Sequence, residues 1–74
     1  MTNNNNINIT ISSDLDYENL IAEITIDGNF IGLVTKEPDE VTKFEIPDGQ
    51  VSSVKVELGT LLTAIEKAKS ELLK

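Results

Sequence analysis

In one stretch of the chain, acidic residues stand at alternate positions, as they do in a calcium-binding loop. Asp14, Asp16 and Glu18 have the spacing of the first calcium ligands of an EF-hand. The pattern then fails, because such a loop needs glycine at its sixth position and glutamate at its twelfth, where this chain has Asn19 and Thr25. The sequence therefore predicts a solvated acidic loop and no specific metal site, with weak surface association of calcium or magnesium left open.

The residue types give little support for catalysis. The chain has no histidine and no cysteine, which removes the usual catalytic base and the common zinc, haem and iron–sulfur ligand sets. The four glycines are scattered and form no phosphate-binding loop. The carboxylates fall in turns or at solvent-facing strand positions, which does not favour a matched acid and base pair. We therefore expect a protein that is not an enzyme and that carries no cofactor.

The charge of the chain is acidic and unevenly distributed. Six lysines, with no arginine, stand against 13 acids, for a net charge of −7. Between Asp14 and Asp48 there are ten acids and two lysines, whereas the charges of the last 18 residues cancel. Phosphate contacts need lysine and arginine, so we expect no direct nucleic-acid binding. An acidic surface favours a larger, basic protein partner, although acidity also serves solubility alone.

The chain is short and shows no membrane or export signal. Its 74 residues allow one domain. No apolar run reaches the roughly 18 residues needed to span a bilayer, and the asparagine run at the N-terminus lacks a signal-peptide pattern. We therefore expect a cytoplasmic protein without membrane association, with residues 1–6 as a flexible polar tail and residues 7–74 as a single domain.

The hydrophobic pattern predicts strands followed by one helix. Apolar and polar residues alternate from Ile7 to Ile11, and Asp-Gly between two apolar runs is a strong hairpin signal. Residues 41–46 read as a further strand, and 51–56 as a strand or an extended lead into the helix. From 57 to 74 the apolar residues recur at helical spacing. This order predicts an α+β fold, in which a small antiparallel sheet of about three to five strands packs one face on a C-terminal helix.

The hairpin holds more apolar residues than a single helix can cover. With a two-residue turn, Ile24 faces Ile31 and Ile21 faces Val34. The helix covers one face of the sheet, so apolar residues on the other face stay exposed and mark an interaction surface. The predicted partner-binding residues are Ile21, Glu23, Thr25, Phe30 and Val34. A bulge in the hairpin would shift this register and move residues between the faces.

The stretch "SSDLDYENLIAEITIDGNFIGLV", together with the strand "FEI" and the closing helix, resembles a family of small uncharacterised bacterial proteins. Members share a Ser-Asp-Leu-x-Tyr-Glu opening, an Asp-Gly hairpin and a C-terminal amphipathic helix. The resemblance covers most of the chain from Ile7 onward. It implies the same architecture and transfers no activity, ligand or functional residue.

Two functional hypotheses follow from these patterns. The main one is a small, non-catalytic protein-binding module that docks on a basic partner through the outer face of its sheet. By size and charge, it compares with bacterial or phage inhibitors such as toxin-neutralising immunity proteins and anti-CRISPR-like anti-defence proteins. The alternative is a structural homodimer, in which the same apolar strip joins two copies and has no inhibitory role. Tyr17, the only tyrosine, either packs at the edge of the core or anchors an interface.

Overall fold

Four antiparallel strands and one helix make up the part of the chain that the computed structural model describes, residues 6–50 and 55–74. The elements are β1 (Ile7–Ser12), β2 (Ile21–Ile26), β3 (Asn29–Thr35), β4 (Lys43–Glu45) and α1 (Leu58–Leu72). The sheet order is β1-β2-β3-β4, and α1 packs on one face. The α+β fold predicted from the sequence is confirmed. Of residues 51–56, predicted to form a strand or an extended lead into the helix, residues 51–54 lie outside the described ranges.

The turn between β2 and β3 consists of Asp27 and Gly28, as the sequence predicts. Both residues have positive φ, 52° and 83°, which a tight hairpin turn requires. Asp27 also holds the start of β1, because its N–H donates to the Asn6 carbonyl and its Oδ1 accepts the Asn6 N–H, both at 2.9 Å. Asn6, predicted to belong to a flexible tail, is thus bonded to the hairpin. Residues 1–5 of that tail lie outside the described ranges.

A β-bulge in the hairpin changes which residues share a face of the sheet. The pairing of Thr25 with Phe30 is as predicted, but the register then slips by one residue. As a result, Ile21 lies opposite Thr35, and the predicted pairing of Ile21 with Val34 is wrong. A slip of one residue carries a side chain to the opposite face. Val34 therefore lies on the face that meets the helix.

The hydrophobic core fills the space between the sheet and α1. Its buried members come from β2, β3 and α1: Ala22, Ile24, Ile26, Ile31, Val34, Ala64 and Ala68. The small alanine side chains let α1 lie close to the sheet. Leu61, Ile65 and Leu72 pack around this cluster. Leu58 and Leu62, which the helical spacing places on the same face, are exposed instead.

The side chain of Glu57 caps the start of α1. Its Oε1 accepts the backbone N–H of Thr60 at 3.1 Å and the Thr60 hydroxyl at 2.8 Å. This satisfies one of the N–H groups that the first turn of a helix leaves unpaired. In the last turn, Lys69 places a positive charge near the negative end of the helix dipole. With 15 residues α1 is too short to cross a bilayer, and the described ranges contain no other helix.

Candidate partner-binding groove

The loop between β1 and β2, residues 13–20, is fastened to the connection that follows β3. Both carboxylate oxygens of Glu37 take part, one accepting the Glu18 N–H at 2.7 Å and the other the Asn19 N–H at 2.9 Å. The Asn19 side chain also donates to the Lys36 carbonyl. Hydrogen bonds to a charged acceptor are stronger than neutral ones. Glu37 therefore fixes the end of the loop where the chain enters β2.

Tyr17 links this loop to the far edge of the sheet. Its hydroxyl donates to Glu45 Oε1 at 2.8 Å, and Glu45 belongs to β4, which lies at the opposite edge from β1. The Tyr17 N–H donates to the Asp14 carbonyl at 3.1 Å, and the Asp16 N–H donates to Asp14 Oδ1 at 2.9 Å. These bonds form a turn. The half-buried phenol of Tyr17 extends from this turn over the outer face of the sheet, toward Glu45.

A groove of about 250 Å³ lies on the outer face of the sheet, beside Tyr17. Phe30 and Leu33 of β3 give it an apolar wall. Five of its lining residues are acids, and among the described residues that line it none is a lysine. The acids come from the β1–β2 loop, β2, β4 and the turn after β4: Asp14, Asp16, Glu23, Glu45 and Asp48. So many carboxylates around one concave surface create a strong negative potential there.

No protein-family model, curated protein or solved structure matches this chain.

The environment of Tyr17 raises the pKa of its phenol hydroxyl. Partial burial, the hydrogen bond to Glu45 and the negative charges of Glu45, Asp14 and Asp16 raise the pKa of Tyr17 to about 12. Each of these causes disfavours the tyrosinate, either by removing water or by repelling its charge. Because the folded pKa lies above the ordinary value of about 10, this contribution to stability is complete below pH 10. It is lost as the pH rises through about 12.

We expect Tyr17 to titrate near pH 12 in the folded protein, and Glu45→Gln to lower its pKa toward the ordinary value. Glutamine still accepts a hydrogen bond but carries no charge. The measurement is the ultraviolet absorbance of tyrosinate, which has a single source because the chain has one tyrosine and no tryptophan. Glu66→Gln, an exposed change on α1, is the control. A pKa that is the same in both variants would contradict the Tyr17–Glu45 contact.

The structure separates the five residues predicted to bind a partner. Glu23 and Phe30 line the groove, and Thr25, opposite Phe30, is half-buried on the same face. Ile21 and Val34 are 0% and 2% exposed, so the prediction that they form an exposed apolar strip is wrong. Val34 packs in the core beneath α1, and Ile21, at the start of β2, is fully buried outside that cluster.

Sequence reasoning missed several residues of the groove. Leu33 lies opposite Glu23 because of the bulge, whereas the two-residue turn without a bulge puts it on the helix face; Glu45 and Asp48 belong to the carboxylates expected only to face solvent. In the sequence, Lys43 and Glu45 stand on either side of the apolar Phe44. This alternation predicts a strand with one charged face and could have placed Glu45 on the outer face. Leu15, at the tip of the β1–β2 loop, is fully exposed.

One acidic side chain of the β1–β2 loop, that of Asp14, has a structural role in the loop itself. Asp14 accepts bonds from within its own turn, and the Glu18 backbone is held by Glu37. Within residues 6–50 and 55–74, no group of three or more acids is placed to hold a metal ion.

Proposed function

We propose that the protein is a non-catalytic binding module whose acidic groove holds a basic segment of a larger protein. The supporting observation is the composition of the groove, five carboxylates beside an apolar wall. Arginine and lysine have the matching chemistry, because their hydrocarbon stems pack on apolar surface while their charged ends meet carboxylates. Phe30 and Leu33 would contact the stem, and Glu23 and Glu45 the charged end.

Leu15 and the overall charge give this surface two further means of recognition. Leu15 projects fully exposed between Asp14 and Asp16, at the rim of the groove, where an apolar side chain can enter a pocket of the partner. The net charge of −7 attracts a basic partner over a distance and speeds the encounter at low salt. The complex should therefore form quickly and weaken as the salt concentration rises.

An inhibitory role follows where the basic surface of the partner is its own nucleic-acid site. The carboxylates of the groove would then occupy positions that phosphates take in the partner's normal complex. By analogy of size and charge, we assign this role to cytoplasmic proteins of the immunity type or the anti-CRISPR-like type, of bacterial or phage origin. The alternative hypothesis, a homodimer formed through the outer face, has less support, because Ile21 and Val34 are buried and supply no contact surface.

The experiment is a titration with a labelled arginine-rich peptide and with a matched peptide in which glutamine replaces arginine. We expect only the first to bind, with an affinity that falls as salt is added. The double variant Glu23→Gln with Glu45→Gln should weaken binding at least tenfold, a loss of about 1.4 kcal/mol.

The matched control is Glu66→Gln with Glu71→Gln, which removes the same charge from exposed positions on α1. We expect this control to change the affinity by less than about twofold, because exposed charges at a distance are screened. Equal losses in the two double variants would show that only net charge matters, and the groove would then not be the binding site.

A further inference from the structure

β1 forms one edge of the sheet and lacks the features that usually protect an edge. Within residues 6–50 and 55–74 it pairs only with β2. Its six residues, INITIS, include no charge and no proline, and its register with β2 is continuous. The other edge, β4, is three residues long and carries Lys43 and Glu45. Short length and charge block the addition of another strand, so β4 is protected and β1 is open.

The unpaired backbone groups of β1 belong to its three isoleucines. The Asp27 N–H donates to the Asn6 carbonyl, so the even-numbered residues of this strand direct their backbone groups toward β2. In an antiparallel pair the direction alternates with each residue. The N–H and C=O groups of Ile7, Ile9 and Ile11 therefore point away from β2, toward the open edge.

The side chains of the same isoleucines extend the apolar layer to this edge. Ile7 and Ile9 are half-buried and pack against the core beneath α1. Ile11 is 38% exposed. Asn8 and Thr10, between them, are exposed on the opposite face. The edge thus offers backbone groups, a partly covered row of isoleucines and a neutral polar face.

We propose that β1 pairs with β1 of a second copy of this chain, antiparallel about a two-fold axis at Ile9. In this register Ile9 lies opposite the partner's Ile9, and Ile7 lies opposite the partner's Ile11. Every outward N–H and C=O group of the three isoleucines then has a partner. Cross-strand pairs of β-branched residues stabilise a sheet further. The result is one continuous sheet, with both helices on the same face.

The charge distribution favours a second copy as the occupant. Each chain carries a net charge of −7, and copies repel one another wherever carboxylates meet. β1 has no charged residue, so this edge is where two copies can approach with least repulsion. A small domain also gains most from burying further surface. The two grooves stay open on the face opposite the helices, so this pairing is independent of the proposed function.

Sedimentation of the full chain over a wide concentration range tests this pairing. We expect wild type to dimerise and Ile11→Pro to dimerise at least tenfold more weakly. Proline at this position removes an outward N–H and leaves the bonds to β2 intact. Wild type that stays monomeric throughout would overturn the proposal.

A second pair of variants changes only exposed side chains and so keeps the test independent of folding. In the proposed register residue 8 faces residue 10 of the partner. Asn8→Glu with Thr10→Glu places like charges opposite one another and should weaken the dimer about tenfold. Asn8→Lys with Thr10→Glu places opposite charges there and should keep or restore it. Equal dimerisation of the two variants would overturn the register.

Hydrogen exchange identifies what covers the edge. In the dimer the amides of Ile7, Ile9 and Ile11 should exchange slowly, and dilution should release them. A dimer in which these amides exchange freely uses another surface, which overturns the proposal. Protection that persists in a monomer would mean that a segment of the same chain covers β1, which overturns it too.

Discussion

Gly32→Ala is expected to lower the free energy of unfolding by about 1–3 kcal/mol, which is typical of an overpacked position. A Cβ at Gly32 would lie 2.6 Å from Phe44 Cζ and 2.8 Å from the carbonyl oxygen of Glu45. The phenyl ring can turn aside, but the carbonyl belongs to the backbone of β4. Relief of the second clash therefore requires β4 to move away from β3.

The movement of β4 has a consequence at the groove. Glu45 would shift with its strand, and the Tyr17 hydroxyl would lose its acceptor. We therefore expect the fluorescence of Tyr17 and its titration to change in Gly32→Ala along with the stability. Chemical denaturation, followed by circular dichroism and by this fluorescence, measures both effects.

Gly59→Ala is the matched control for this substitution. The change is the same, but the nearest atoms to the new Cβ are the capping carboxylate oxygens of Glu57, at 3.3 and 3.5 Å, which belong to a side chain and can shift by a few tenths of an ångström. Alanine is also favoured over glycine in a helix, by up to about 1 kcal/mol. The control should therefore be neutral or slightly stabilising. If Gly32→Ala were as stable as this control, β4 would not lie against Gly32 as the structure has it.

Ile21→Ala is expected to cost about 2–5 kcal/mol, the range for removing a large aliphatic side chain from a packed interior. Ile21 is 0% exposed and is one of the two largest fully buried side chains. It lies where the β1–β2 loop, held by Glu37, enters the sheet. Truncation removes its contacts and leaves a cavity that the fixed loop cannot fill easily.

Ile46→Ala is the matched control, because Ile46 is 61% exposed. We expect a change of less than about 0.5 kcal/mol there, as for most surface substitutions. Thermal or chemical unfolding of the two variants beside wild type gives the comparison. If Ile21→Ala cost no more than Ile46→Ala, Ile21 would be exposed, as the sequence alone predicts.

In the hairpin, the turn could be predicted from the sequence and the bulge could not. Asp27 and Gly28 identified the turn, because positive φ is what these residues tolerate. The bulge was not predictable in the same way, because "FIGLV" is apolar at nearly every position. Either register puts an apolar side chain on each face, so the pattern does not choose between them. Gly32 was the one local sign of an irregular strand.

The position of the β1–β2 loop depends on hydrogen bonds between distant parts of the chain. The local sequence of the β1–β2 loop indicates a turn and solvent exposure, and its acids do lie at the surface. The loop is held where the chain enters β2 by the bonds from Glu18 and Asn19 to Glu37, which join residues 19 and 18 positions apart. A periodicity argument contains no information on such a contact.

Only the negative charge of the candidate groove could be predicted from the sequence. The excess of acids between Asp14 and Asp48 indicated a negative surface and a basic partner. Their convergence required the strand order, which brings Glu45 beside β3, and the Tyr17 hydrogen bond, which brings the loop toward Glu45. Of the predicted binding residues, Glu23 and Phe30 line this groove.

The exposed tip of the β1–β2 loop makes this protein convenient to convert into an optical sensor. The chain contains no cysteine, so Leu15→Cys would introduce a single reactive thiol. Leu15 is fully exposed, so a dye attached there would leave the sheet and its core undisturbed, while it would replace the apolar contact proposed for Leu15. Its neighbours Asp14 and Asp16 line the groove, so the emission of the dye would change as the groove fills.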